Sequence, residues 1–158
     1  MQKIGKACVL MILSVMAALG TAGCDPRSPL GELSLSVDSH GGTLLGVCMS
    51  TEVDDIFVSY RPKVGSEWSR VFEAKGSPTV TESGEIWRIE GEVFGFRPQL
   101  DNSFKLVGGS EVDVGIAGAG ENHSLNGWFT IPEQGLRPGE WLFSDGSISD
   151  KVCGDFAR

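Results

Sequence analysis

Between Glu32 and the C-terminus, glycine and proline divide the chain into short apolar runs, none longer than seven residues. Runs this short do not sustain a helical period. Their apolar residues instead fall at every second position, as in a strand with one face buried. Leu33, Leu35 and Val37 alternate with Ser34 and Ser36, and Val112, Val114 and Ile116 alternate with Glu111 and Asp113. Further strands are expected at Thr43 to Met49, Ile56 to Arg61, Trp68 to Ala74, Glu85 to Gly91, Val93 to Phe96, Phe104 to Val107, Leu125 to Ile131 and Trp141 to Phe143. Breaks are expected at Gly41-Gly42, Pro62 to Gly65, Gly76 to Pro78, Gly108-Gly109, Gly118 to Gly120 and Pro138-Gly139. Some eight to ten antiparallel strands at this spacing predict an all-β sandwich or barrel.

The first 23 residues follow a different grammar. Lys3 and Lys6 precede an uncharged stretch from Ala7 to Gly23, whose body is Val9 to Leu13, Val15, Met16 and Leu19. This is the pattern of an export signal, too short and too rich in small residues at its end to match a bilayer span of ~20 residues. It closes on Leu19-Gly20-Thr21-Ala22-Gly23-Cys24, which resembles the lipobox of bacterial lipoproteins, with Thr21 where that family usually has leucine. The resemblance implies a signal peptide over 1–23, a lipid on Cys24, and residence at the extracytoplasmic face of the cell membrane. Cys8 precedes the apolar body and leaves with the signal peptide. Two or three acyl chains, at ~0.8 kcal/mol per buried methylene, would make the anchor durable. Asp25 resembles the inner-membrane retention signal of enteric lipoproteins. Residues 24–31, with Pro26 and Pro29, read as an extended tether, and 32–158 as a single domain.

Removing the signal peptide takes away two lysines and no acid, so the net charge goes from -8 to -10. Such a domain has no basic cluster to neutralise phosphates, and nucleic acid is not an expected partner. Outside the cytoplasm, the pair Cys48 and Cys153 is expected to form one disulfide. There is no C-x-x-C, and no histidine stands close to either cysteine in sequence.

One late segment favours a sandwich over a barrel. Leu136-Arg137-Pro138-Gly139-Glu140-Trp141 is similar to the Leu-x-Pro-Gly-x-Tyr corner of many bacterial immunoglobulin-like domains. Ser144-Asp145-Gly146-Ser147 resembles the tail of the periplasmic copper-resistance sandwich. The resemblance implies an immunoglobulin-like antiparallel β-sandwich in which the aromatic Trp141 closes one end of the core. It does not extend to copper, because Ser147 stands where that family has its metal-binding histidine. No metal and no cofactor are expected.

The catalytic inventory is thin. His40 and His123 are the only histidines, both in polar loop sequence, and no G-x-S-x-G elbow is present. Carboxylates expected in loops, Asp54-Asp55, Glu82, Glu85, Asp101, Glu121, Asp145 and Asp150, could supply a glycosidase pair. Asp145 to Asp150 lacks the residue order of a calcium loop. Trp87 and Trp141 read as core. Trp128 shares a face with Asn126 and Thr130, and Trp68 is flanked by Glu67, Ser69 and Arg70, so Trp128 and Trp68 are the candidate binding surface. The expected function is therefore a lipid-anchored binding or accessory lipoprotein without catalytic activity, its partner an envelope protein or glycan. The alternatives are an acid-based glycan hydrolase and a small inhibitor of an envelope-attacking enzyme.

Overall fold

The computed structural model describes residues 32–118 and 124–155. The expectations placed on the signal peptide, Cys24, the tether, Glu121 and His123 lie outside the described residues. Ten strands form among the described residues. They are β1 (Leu33–Val37), β2 (Thr43–Val47), β3 (Glu52–Arg61), β4 (Ser69–Val80), β5 (Glu85–Arg88), β6 (Arg97–Asp101), β7 (Glu111–Ala117), β8 (Leu125–Thr130), β9 (Trp141–Phe143) and β10 (Ile148–Ser149). The first sheet runs β10-β9-β1-β2-β5 and the second β6-β4-β3-β7-β8, with every pairing antiparallel and no closure into a barrel.

The centre is an immunoglobulin-like sandwich. β1, β2 and β5 take the places of strands A, B and E, and β3, β7 and β8 those of C, F and G. β4 and β6 extend the second sheet, while β9 and β10 extend the first. Leu35, Leu45 and Val47 face Ile56, Val58, Val112, Val114, Ile116 and Phe129 across the core. The alternation is cleanest in β8, where Leu125, Gly127 and Phe129 are buried and Asn126, Trp128 and Thr130 are exposed.

Several elements depart from the sequence expectations, each for a local reason. Gly76 to Pro78 is a bulge inside β4 and not a break, since the register jumps from Val53 opposite Thr79 to Asp55 opposite Lys75. Gly76 is needed there because a Cβ would collide with the Phe96 ring. The same irregularity puts Asp54 and Asp55 within β3 instead of a loop. A second bulge at Val71 leaves the adjacent residues Val71 and Phe72 both buried. Val93 to Phe96 is a tight turn: Phe94 (φ 59°) and Gly95 (φ 74°) are both left-handed, and Phe96 N donates to Val93 O at 2.8 Å. Packing against Trp87, with centroids 4.4 Å apart, holds Phe94 in that unusual conformation. Phe104 to Val107 is irregular. β6 forms instead, and its Pro98 is tolerated because β6 is an edge strand.

Alternation predicts a half-buried first strand, but all five residues of β1 are buried. The C-terminal segment covers its outer face. Ser34 Oγ donates to Val152 O, and Ser36 Oγ donates to Glu140 O at 2.6 Å. Gly46, opposite Ser34, lies so close to Val152 and Trp141 that a Cβ could not be accommodated without a shift. Trp141 is accordingly buried over the outer face of β2, whereas Leu142 beside it joins the core. The Pro138-Gly139 corner forms as expected, with Gly139 at φ 88° and Glu140 N donating to Arg137 O at 3.0 Å.

Cys48, just past β2, is bonded to Cys153, which fastens this covering segment to the sheet across a sequence separation of 105 residues. Replacing both cysteines by serine should lower the unfolding free energy by about 2–4 kcal/mol. Urea denaturation monitored by tryptophan fluorescence reads this directly, and an unchanged midpoint would show that packing alone holds the segment down.

Candidate functional site

The outer face of the second sheet is the candidate site, and strand register determines what meets there. Arg61 lies opposite Glu111, which lies opposite Thr130; the next row is Arg70, Ser59, Asp113 and Trp128; the next is Glu73, Phe57, Gly115 and Asn126. Residues from four strands, distant in sequence, thus become neighbours on one surface.

Trp68, just before β4, reaches over this surface to meet Trp128 edge to face, with ring centroids 5.5 Å apart and planes at 84°. Their exposures are 37% and 39%, so the pair is packed on one side and open on the other. The Arg61 guanidinium sits 4.7 Å from the Trp68 centroid and 5.7 Å from that of Trp128. Its charge is matched by Glu111, to which it is both hydrogen-bonded and ion-paired. Glu111 is only 6% exposed and also accepts from Trp128 Nε1 at 3.1 Å. The carboxylate therefore holds both the arginine and one indole in place.

A second stack adjoins the first. Arg70 covers the Phe57 ring at 3.9 Å and donates to Ser59 Oγ at 3.2 Å. Phe57 lies across Gly115, where a side chain would strike the ring, so the glycine lets the aromatic lie down on the sheet. Between the stacks, burial pushes the Asp113 carboxyl above the ordinary carboxylate range, with Arg70 opposing that shift.

The tryptophans singled out in the sequence are thus brought together. Sequence reasoning does not supply Arg61 and Glu111 as their partners. Alternation places Phe57, Ser59 and Arg61 on one face of β3, but nothing local to β3 or β7 reveals that Arg61 meets Glu111. The other sequence candidates are dispersed. Asp55 pairs with Lys75 at 3.1 Å, Glu82 N donates to Glu85 Oε2 at 3.0 Å, and Asp101 accepts from Gly91 N at 2.9 Å. Asp145 accepts from Ser147 Oγ and N, contacts that hold its carboxyl below the usual range and close a tight turn. Among the described residues, no group of three His, Cys, Asp or Glu side chains is arranged to hold a metal ion. His40 is exposed, 3.2 Å from Ser39 Oγ.

Comparison with known proteins finds no matching family model, no matching curated protein and no matching solved structure. Arg61 is already neutralised, so it is not an anion trap. It instead stiffens two large rings, which would lower the entropy lost if a partner packed against them.

Glu111→Ala should destabilise the fold by about 3 kcal/mol or more, because it strands a largely buried Arg61. Thermal melting and a red shift of tryptophan emission would register the loss, whereas an unchanged spectrum would mean that Glu111 does not position Trp128. Asp113→Asn should raise the melting temperature at neutral pH. The cost of burying the Asp113 charge is present above its raised folded value and disappears as pH falls through that value towards its unfolded one. The benefit of the substitution should therefore vanish in acid, as melting curves across pH would show.

Proposed function

We propose that this protein is a non-catalytic binding or accessory lipoprotein of the cell envelope, anchored through Cys24 and docking an envelope protein on the outer face of its second sheet. The observation that carries this reading is the Trp68–Trp128 pair, half-exposed and held rigid beneath Arg61. Tryptophan and arginine dominate the binding energy of protein interfaces, and they do so best in preorganised clusters. A glycan is less well served by this face. Its two indoles stand perpendicular and form no flat two-ring platform, and a guanidinium lies against both.

The lipobox resemblance supports the anchor. With a mature net charge of -10, the domain gains nothing from anionic headgroups, so the acyl chains would supply the membrane affinity. The hydrolase reading loses ground because Asp55, Asp101 and Asp145 are each engaged in structural contacts.

The test places a photoreactive amino acid at Asn126, exposed beside Trp128, and irradiates cells producing the full chain. We expect one dominant covalent adduct with an envelope protein, abolished by the Trp68→Ala, Trp128→Ala double substitution, and an intact mass showing acylation of Cys24. An adduct indifferent to the double substitution would refute the docking face. A polypeptide beginning at unmodified Met1 would refute the anchor.

A further inference from the structure

The edge of a sheet presents a row of backbone N–H and C=O groups with which another chain can pair. The two sheets end in β10, β5, β6 and β8, and all but the last of these edges are guarded. β10 is two residues long, β5 has Glu85 and Arg88 at its ends, and β6 contains Arg97, Pro98 and Asp101. Short length, charge and proline are the devices that keep sheet edges from pairing. β8 has none of them. It pairs with β7 over six residues without a register shift, and the run from Ser124 to Ile131 contains no charged residue and no proline, in a chain whose net charge is -8. Among the described residues, no strand lies beyond it.

The direction of its backbone groups follows from the end of the strand. Ile131 N donates to Ser110 O at 2.8 Å, and Gly109 N donates to Ile131 O at 3.0 Å, so both backbone groups of Ile131 point towards β7. Backbone direction alternates along an antiparallel pair. Phe129, Gly127 and Leu125 therefore also turn theirs to β7, and Thr130, Trp128 and Asn126 turn theirs to the free edge. These same three residues are the exposed ones of β8.

We infer that β8 pairs edge to edge with β8 of a second copy of this chain, joining the second sheets of two molecules into one continuous sheet. A two-fold axis makes such a pairing antiparallel and lets each copy offer the same surface to the other. Centred on Trp128, the pairing uses all three outward-facing residues. Trp128 of one copy lies opposite Trp128 of the other, Asn126 lies opposite Thr130 on either side of it, and each pair exchanges both of its N–H···O bonds. Indole against indole and amide against hydroxyl are favourable cross-strand combinations, so the strand is its own complement. Both free β8 edges are consumed, and association stops at two copies. The seam is small beside the ~1,600 Å2 of a standard interface, so the dimer is weak in solution. Because the seam is uncharged while each copy is acidic, salt strengthens the pairing by screening the repulsion between the copies. The inference does not rest on the docking of an envelope protein, since the edge is built from backbone groups and not from the Trp68–Trp128 ring contact.

The test is sedimentation equilibrium of the full chain in density-matched detergent up to about 1 mM, with backbone amide hydrogen exchange measured at the two ends of that range. We expect a monomer–dimer equilibrium that tightens with added salt. The amides of Asn126, Trp128 and Thr130 should exchange more slowly at the high concentration, while those of β5 and β6 stay unchanged. Thr130→Pro and Asn126→Pro each remove an outward N–H without touching the bonds to β7, and each should weaken association about tenfold or more. Trp68→Ala, which opens the tryptophan pair but leaves the edge intact, should still dimerise; failure of the docking reading would leave all of these results standing. A chain that stays monomeric throughout, oligomers that grow beyond two, protection that appears at another edge, or proline variants that associate as the parent does would each overturn the inference. The exchange measurement is made on the unsubstituted chain, so it decides the matter even where a proline variant fails to fold.

Discussion

The contact on which the rest of the arrangement depends is the closure of the C-terminal segment over the first sheet. Two sheets packed face to face would ordinarily leave both outer faces to solvent. Here the Cys48–Cys153 bond brings Val152 down onto Gly46 and Ser34, and Trp141 fills the adjoining space. Only glycine at position 46 permits so close an approach. The centre of the first sheet is consequently covered on both sides, and a serine that alternation would leave in water is buried and hydrogen-bonded. The outer face of the second sheet and the sandwich ends stay accessible.

On that second face the governing interaction is electrostatic. A buried carboxylate is tolerated only when its charge and lone pairs are matched. Glu111 meets this condition through Arg61 and Trp128 Nε1, and in doing so it positions the groups best suited to bind a partner. Under the proposed docking role, stability and recognition would share the same atoms. Asp113, one row away, is less well matched: burial raises its pKa and Arg70 only partly offsets it. A poorly compensated charge at the centre of an exposed aromatic face is the kind of local cost that functional surfaces retain.

Irregular strands shape the remainder. The bulges at Gly76 to Pro78 and Val71 turn β4 so that it keeps contact with β3 on one side and with the edge strand β6 on the other. The left-handed pair Phe94 and Gly95 brings the chain from β5 back towards β6. Together these devices carry the residues after β6 to the same end of the molecule as the β1–β2 turn, where residues 40–43 and 101–105 line one cleft.

Much of this architecture is legible in the amino-acid sequence alone. Period-two alternation and the chemistry of Gly and Pro are properties of neighbouring residues, and they suffice for β7, β8 and β9, for the break at Pro138-Gly139, for the outward face of Trp128 and for an all-β class, while the choice of a sandwich over a barrel rests on the resemblance of Leu136 to Trp141 to the corner of bacterial immunoglobulin-like domains. Cys48 and Cys153 can be paired because they are the only cysteines in the sequence from residue 32 to 158. What alternation cannot encode is register. Arg61 and Glu111 are 50 residues apart, and Trp68 and Trp128 60 residues apart, so each pair meets only because β3, β4, β7 and β8 align as they do. The burial of Ser34, the ring over Gly115 and the need for glycine at 46 and 76 escape a reading of the sequence for the same reason. Each depends on which atoms a distant segment brings close, and that is decided when the sheets pack.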